Sequence, residues 1–465
     1  MWMASLDVAP LPAFRPPAPT PRDAPLGPLG MIRVLRRNPI ESWTRLHFER
    51  PILTGTSLLG EGAFVSDPAA IRRIFLDNAE NYAKDDLQRR VLGPGLGKGL
   101  LITEGETWKA QRRALAPLFT PKTVASFTQS MAQASDVLVA RWRRRRDGRP
   151  LDIQMEMWRL TLDILGRTIF SDGLGRDPKE FVTALGRYFE TIGRLDIADL
   201  LDFPDWVPRV NRMRSQPALD FFAEVVDSLI ARRRALIAEN PTAAPRDLLT
   251  LLLEAQDPQT GTGLSEVEVQ ANIVTFIGAG HETTANALTW SLYLLSNAPE
   301  WQERLAAEAD AVLDEPDLRV DALVATRAVV EEAMRLYPPV ASLSRVALGP
   351  DDLAGRRIRK GALVLVAPWV LHRHRRLWDE PELFDPRRFL PGRREAIDRF
   401  AYLPFGAGPR VCIGAAFALQ EAVIALAKMM QAFRVEPAPG VVEPVQRITL
   451  RPRGGMPLIL RRRAA

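Results

Sequence analysis

Phe405-Gly406-Ala407-Gly408-Pro409-Arg410-Val411-Cys412-Ile413-Gly414 contains the single cysteine of this 465-residue chain. Its two glycines and a proline before the cysteine, with Pro404 just ahead of them, make it a turn rather than a strand or a helix. An apolar, helix-favouring run from Ala415 to Phe433 follows at once, so Cys412 is predicted at or just before a helix N-terminus. Free backbone N–H groups and the positive end of the helix dipole lower a thiol's pKa there. Glycines let more backbone donors approach the sulfur. A thiolate held this way suits a metal ion such as iron.

Working outward, the chain reads as mostly helix with a minor sheet. Amphipathic spacing predicts helices over 68–76, 107–118, 121–145, 160–170, 217–239, 246–255 and 299–313. Strand signals are short, over 57–65 and 362–366, with terminal strands inside 441–460. One helix stands out. Ser265 and Glu268 form a capping-box pair, and the apolar pattern runs on to Ser296, where Asn297 and Pro299 stop it. At 1.5 Å per residue this is a rod of roughly 50 Å. It is apolar nearly all round and therefore central. Polar residues inside it need a reason, and they cluster as Gly280, His281, Glu282, Thr283 and Thr284. An acid and a hydroxyl in a locally distorted buried helix suit a small polar reactant and proton delivery.

Composition narrows the class. The chain is 46% hydrophobic and 25% charged, which is ordinary for a globular protein. Its net charge of +6 comes with arginine clusters at 143–146 and 461–463, read as solvated faces. No nucleic-acid module is legible, and one cysteine excludes a Cys-x-x-Cys finger and any intramolecular disulfide. A reducing compartment, the cytoplasm, is expected. No window reaches about 18 uninterrupted apolar residues, so no membrane span is predicted. Residues 1–28 are proline-rich and read as an extended, loosely ordered tail, leaving 29–465 as a single catalytic domain.

The cysteine loop resembles the signature of the cytochrome P450 family, with all five fixed positions present as Phe405, Gly408, Arg410, Cys412 and Gly414. The resemblance implies a mainly α fold with a minor β region and a long central helix over a haem. It makes Cys412 the proximal ligand of haem b, whose thiolate pushes electron density that favours O–O cleavage. Other marks follow in order. Glu332 and Arg335 resemble the family's Glu-x-x-Arg pair, on one helix face, and Arg388 fits the second arginine that joins it; Arg387 stands where the family more often has Glu. Trp108 and Arg112 resemble a helix whose side chains reach a haem propionate, and Arg345 and Arg410 resemble further propionate partners. The stretch 279–284 resembles the oxygen-binding segment. There Thr283 would hydrogen-bond dioxygen, Glu282 would belong to the proton relay, and Gly280 would leave room for O2. Gly278, Ala279, Ala341, Ser342 and Leu343 would shape the substrate pocket.

The activity so implied is monooxygenation of a hydrophobic small molecule. Electrons would come from NAD(P)H through a separate ferredoxin- or flavodoxin-type donor, docking on the basic helix that carries Lys109, Arg112 and Arg113. The alternatives are a peroxide-using or rearranging haem-thiolate enzyme, which often lacks an acid–threonine pair, and a non-catalytic haem sensor. Other motifs are set aside. His281-Glu282 lacks the second histidine of a zinc protease, because Ala285 stands there. The glycines of 93–99 fit no phosphate-binding register and read as a loop, and His372 and His374, expected to share a strand face, lack a third ligand.

Overall fold

The computed structural model describes residues 14–57, 60–171, 196–200, 203–204, 206–313 and 318–463. The longer helices among them are α1 (Pro28–Arg37), α2 (Asp86–Leu96), α3 (Gly105–Leu115), α4 (Thr128–Arg143), α5 (Ile153–Ile169), α6 (Val210–Glu239), α7 (Glu266–Ser296), α8 (Pro299–Leu313), α9 (Val324–Leu336) and α10 (Ala415–Ala432). A five-stranded sheet combines β1 (Ile52–Ser57), β2 (Gly60–Val65), β3 (Tyr82–Ala83), β4 (Leu343–Ala347) and β5 (Leu363–Val366) in the order β1-β2-β5-β4-β3, with only β2 and β5 parallel. Shorter sheets pair Pro444–Gln446 with Leu450–Pro452, and Pro457–Arg462 with Pro150–Asp152 and Phe433–Pro437. Among the described residues no helix is long and apolar enough to cross a membrane.

The central rod is α7. Its capping box is complete: the Ser265 hydroxyl accepts from the Glu268 amide, and the Glu268 carboxylate accepts from the Ser265 amide at 2.9 Å. Helices α5, α9 and α10 pack around it. Trp290 of α7 stacks on Tyr337 at 3.8 Å between ring centroids, deep in the core.

The prediction for 121–145 meets a break. Hydroxyls of Ser126 and Thr128 bond back to the Thr123 and Ala125 carbonyls at 2.6 and 2.7 Å, and this local competition ends one helix (Pro121–Ala125) before α4 begins. Helix α6 starts seven residues before Pro217, because buried Arg209 ties the preceding loop by donating to the carbonyls of Phe203, Pro204 and Val207. The glycines after residue 92 are not all loop. Helix α2 continues through Pro94 to Leu96, started by the Asp85 carboxylate on the Gln88 amide, and stops at Gly97 with φ +52°. The predicted strand over 57–65 is split between β1 and β2 of a hairpin.

His372 and His374 share no strand. They follow a helical turn, Pro368–Leu371, and His372 is a buried acceptor for the Leu403 amide at 2.8 Å. Burial, then the charges of Arg335 and Arg373, push its pKa down to about 3, so it is neutral.

From Phe14 the N-terminal segment is extended but not loose. The Phe14 ring meets Tyr293 edge-on, and the Tyr337 hydroxyl donates to the Pro17 carbonyl at 2.8 Å. Proline removes donors but keeps carbonyl acceptors, and the core helices use them. Further on, the Asn38 amide bridges to the C-terminal hairpin, donating to the Pro444 carbonyl and accepting from the Gln446 amide, each at 3.0 Å. Residues 1–13 of the predicted tail lie outside the described residues.

Candidate active site

Helix α7 presents one face that is not buried. Phe276, Ala279 and Thr283, spaced three and four apart, are open, while Ile277, His281, Glu282 and Thr284 are buried. Opposite behaviour within one turn of a central helix leaves this face without full cover from protein neighbours. Cys412 has the same double character. Its sulfur is reachable by solvent, yet it lies deep among protein atoms, whose burial pushes its pKa up. A hydrogen bond from Gly414 and the charge of Arg112 draw it back down.

The loop geometry explains the glycines. Gly406 and Gly408 have φ of +72° and +69°. At Gly408 a Cβ would also stand 1.6 Å from the Phe75 carbonyl oxygen, so no side chain fits. At Gly414 no atom lies within 4 Å of a built Cβ, as expected beside open space. The Cys412 amide donates to the Phe405 carbonyl at 2.9 Å, which closes the turn just ahead of α10.

A cationic cluster lies beside the cysteine loop. Arg410 stacks its guanidinium over the Trp108 ring at 3.8 Å, donates to the Thr103 carbonyl at 2.8 Å and pairs with Glu104. Burial pushes the Arg410 pKa down to about 10 and that of Lys84 down to about 7, and it also lowers Arg112 and Arg345. The charges of Arg410 and Arg345 also depress Lys84, and those of Arg345 and Arg112 depress Arg410, with Glu104 as a shared counter-charge for Lys84, Arg345 and Arg410. This half-buried excess of positive charge suits a ligand that brings carboxylates of its own. An open thiol, an open apolar helix face and this cluster together fit haem: Cys412 would hold the iron, and Arg112, Arg345, Arg410 and Lys84 would take the propionates. When bound, the group supplies oxygen activation and electron transfer.

The structural trio is also assembled. Arg335 and Glu332, both without solvent exposure, form two bonds of 2.6 and 2.8 Å. Arg335 also donates to the carbonyls of His372, Pro381 and Leu383, tying α9 to the segment that leads to the cysteine loop. Arg388 approaches Glu332 at 3.8 Å, an ion pair rather than a hydrogen bond. Among the proposed pocket residues, Gly278, Ser342 and Leu343 are half-open and Ala279 is exposed, whereas Ala341 is packed in the core at 1% exposure. At Gly280 a Cβ would meet Leu165 of α5 at 3.4 Å, an ordinary contact. His281 points the same way, with Nε2 2.9 Å from the Trp158 carbonyl oxygen. The basic face of α3 is largely self-neutralised: Lys109 lies 3.0 Å from Glu106, and Arg113 grips Asp257 with bonds of 2.8 and 2.6 Å.

Sequence reasoning missed Lys84, Glu104, Thr449 and Arg451. The last two meet Glu282, whose pKa burial raises to about 7 against the opposing pull of Arg451 and Thr449. A carboxyl raised on folding contributes stability below its unfolded pKa and loses it as pH rises through the folded value. In the haem-free protein, Glu282→Gln should therefore gain thermal stability relative to wild type as pH rises from about 4.5 to about 7. A Tm difference that is flat across that window would contradict the buried acid.

A family model described as Cytochrome P450 matches residues 29–457. The chain is 35% identical to cyclooctat-9-en-7-ol 5-monooxygenase of Streptomyces melanosporofaciens, over 74% of each protein. It is 32% identical to the chloroplastic protein LUTEIN DEFICIENT 5 of Arabidopsis thaliana, over 81% of this chain and 66% of that one. It is 30% identical to cytochrome P450 4F1 of Rattus norvegicus, over 84% and 78%. With a loop, a central helix and a cationic cluster that fit haem, and a match over nearly its whole length, the chain belongs to the cytochrome P450 family and is a haem-thiolate monooxygenase.

Proposed function

We propose that the protein inserts one atom of O2 into a C–H bond of a bulky hydrophobic substrate at haem b held by Cys412. The balance is RH, O2, NAD(P)H and one proton giving ROH, water and NAD(P)⁺, with two electrons relayed by a separate ferredoxin- or flavodoxin-type donor. The observation that carries this reading is the pair at the open face of α7: Thr283 half-open beside exposed Ala279, with Glu282 buried next to it. Such a pair supplies protons inside an apolar pocket, which O2 reduction consumes and a peroxide-driven reaction does not.

The pocket wall supports an apolar substrate. Phe276, on the open face of α7 and packed edge to face on Phe119 at 5.2 Å, is aromatic, and Ala279 and Leu343 add small and aliphatic surface. One relative is named for cyclooctat-9-en-7-ol, so cyclic alkenols of that size head the substrate class. A panel of such alcohols, fatty acids, steroids and aromatics, read by the haem spin-state shift, sorts the class.

Thr283 donates its hydroxyl to the Ala279 carbonyl at 2.7 Å and must turn from it to serve a ligand in the pocket. With a substrate from that panel, Thr283→Ala should send several times more of the consumed O2 to hydrogen peroxide, at little cost in stability. Coupling that stays intact would favour the peroxide-using alternative.

A further inference from the structure

The proton donor of the pocket is held from outside its own helix. Glu282 is 2% exposed at its side chain, and one oxygen lies 3.6 Å from an Arg451 guanidinium nitrogen. Arg451 sits on the strand Leu450–Pro452 and is itself 14% exposed at the side chain. Thr449, just before that strand, hydrogen-bonds the same carboxyl and also accepts from the Asn286 amide, one turn further along α7, at 3.0 Å. The Trp290 indole, another turn on, reaches the Leu450 carbonyl at 3.3 Å. The second Glu282 oxygen and the Thr284 hydroxyl are buried without a hydrogen-bond partner among the described residues. Of the charged groups there, Arg451 is the one that acts on Glu282, and the neighbouring ring of His281 turns toward α5.

Acid and alcohol thus stand side by side on α7 but engaged elsewhere, Glu282 with the C-terminal strand and Thr283 with its own helix. We infer that Arg451, with Thr449, is the positioning residue that parks the Glu282 carboxylate away from the pocket and opens the route by which it is reprotonated from solvent. The acid then works as a swinging carrier. It gives its proton toward Thr283, returns as a carboxylate to the guanidinium, and takes one proton from water at the partly exposed strand, one in for each one out. This rests on the oxygen-activating reading of the site.

The test uses haem-loaded wild type, Arg451→Gln, Arg451→Lys, Glu282→Gln and Thr283→Ala. The first readout is an infrared titration of the protonated-carboxyl stretch. Wild type should show a band near pH 7 that Glu282→Gln removes, that Arg451→Gln moves upward by about one pH unit or more, and that Arg451→Lys restores. The second is O2 consumption without added substrate, driven by NADH through a surrogate ferredoxin and its reductase, in light and heavy water. Arg451→Gln should raise both the solvent isotope effect and the peroxide released per O2 several-fold, with Glu282→Gln not additive to it. An unmoved band in Arg451→Gln, or a moved band with unchanged isotope effect and peroxide, overturns the gate. Should Glu282→Gln and Thr283→Ala leave peroxide release unchanged, the oxygen-activating reading itself falls, whatever Arg451 does.

Discussion

Cys412→Ala should abolish the strongly red-shifted Soret band of the dithionite-reduced, carbon-monoxide-bound protein while leaving the folded chain intact. The two halves of that expectation have separate causes. Cys412 is exposed instead of packed in the core, so removing its sulfur creates little new cavity, and stability of the haem-free protein should change by less than about 0.5 kcal/mol. The ligand, by contrast, has no substitute in the loop: Phe405, Val411, Ile413 and Gly414 offer no side chain that binds iron. Circular dichroism and thermal melts of the haem-free variant check the first half, and the difference spectrum checks the second. A retained red-shifted band would remove Cys412 from the site.

Gly408→Ala should do the reverse and damage the loop with the thiol still present. An alanine at φ +69° costs about 1–2 kcal/mol by backbone sterics alone. The added methyl would also need the space held by the Phe75 carbonyl, which is backbone and cannot rotate aside. Overpacking of that kind adds about 1–3 kcal/mol. Loss of about 2–5 kcal/mol in chemical denaturation, together with weak haem retention, is expected. Gly414→Ala makes the control, because a Cβ there meets no protein atom within 4 Å. If haem-free Gly408→Ala were as stable as haem-free Gly414→Ala, the close approach to Phe75 would be wrong.

Much of this was legible in the sequence because its causes are local. The cysteine turn is written in glycine and proline, and the start and stop of α7 in a serine–glutamate box and an asparagine. The Glu332–Arg335 pair lies within one turn of α9. What stayed hidden depends on partners far apart in the chain. Nothing near Lys84 announces that Arg410 and Arg345 will stand beside it. Nothing near Arg451 announces a carboxyl on α7, because a strand residue and a helix residue share no period. The prolines of residues 14–27 suggest looseness when only their own backbone is considered, and docking appears once Tyr337 and Tyr293 are in place.

The Asn38 bridge to Pro444 and Gln446 carries a consequence for the order of events on the ribosome. Translation runs at roughly 5–20 residues per second, so Asn38 emerges about 20–80 s before its partners exist. Over that interval the Asn38 side chain lacks both of these partners, and the first helix is not yet fastened to the hairpin. Folding of this chain therefore finishes late, when the last hairpin leaves the exit tunnel and fastens the first helix. A nascent chain stalled before residue 444 should remain sensitive to protease near Asn38, and one released after it should not.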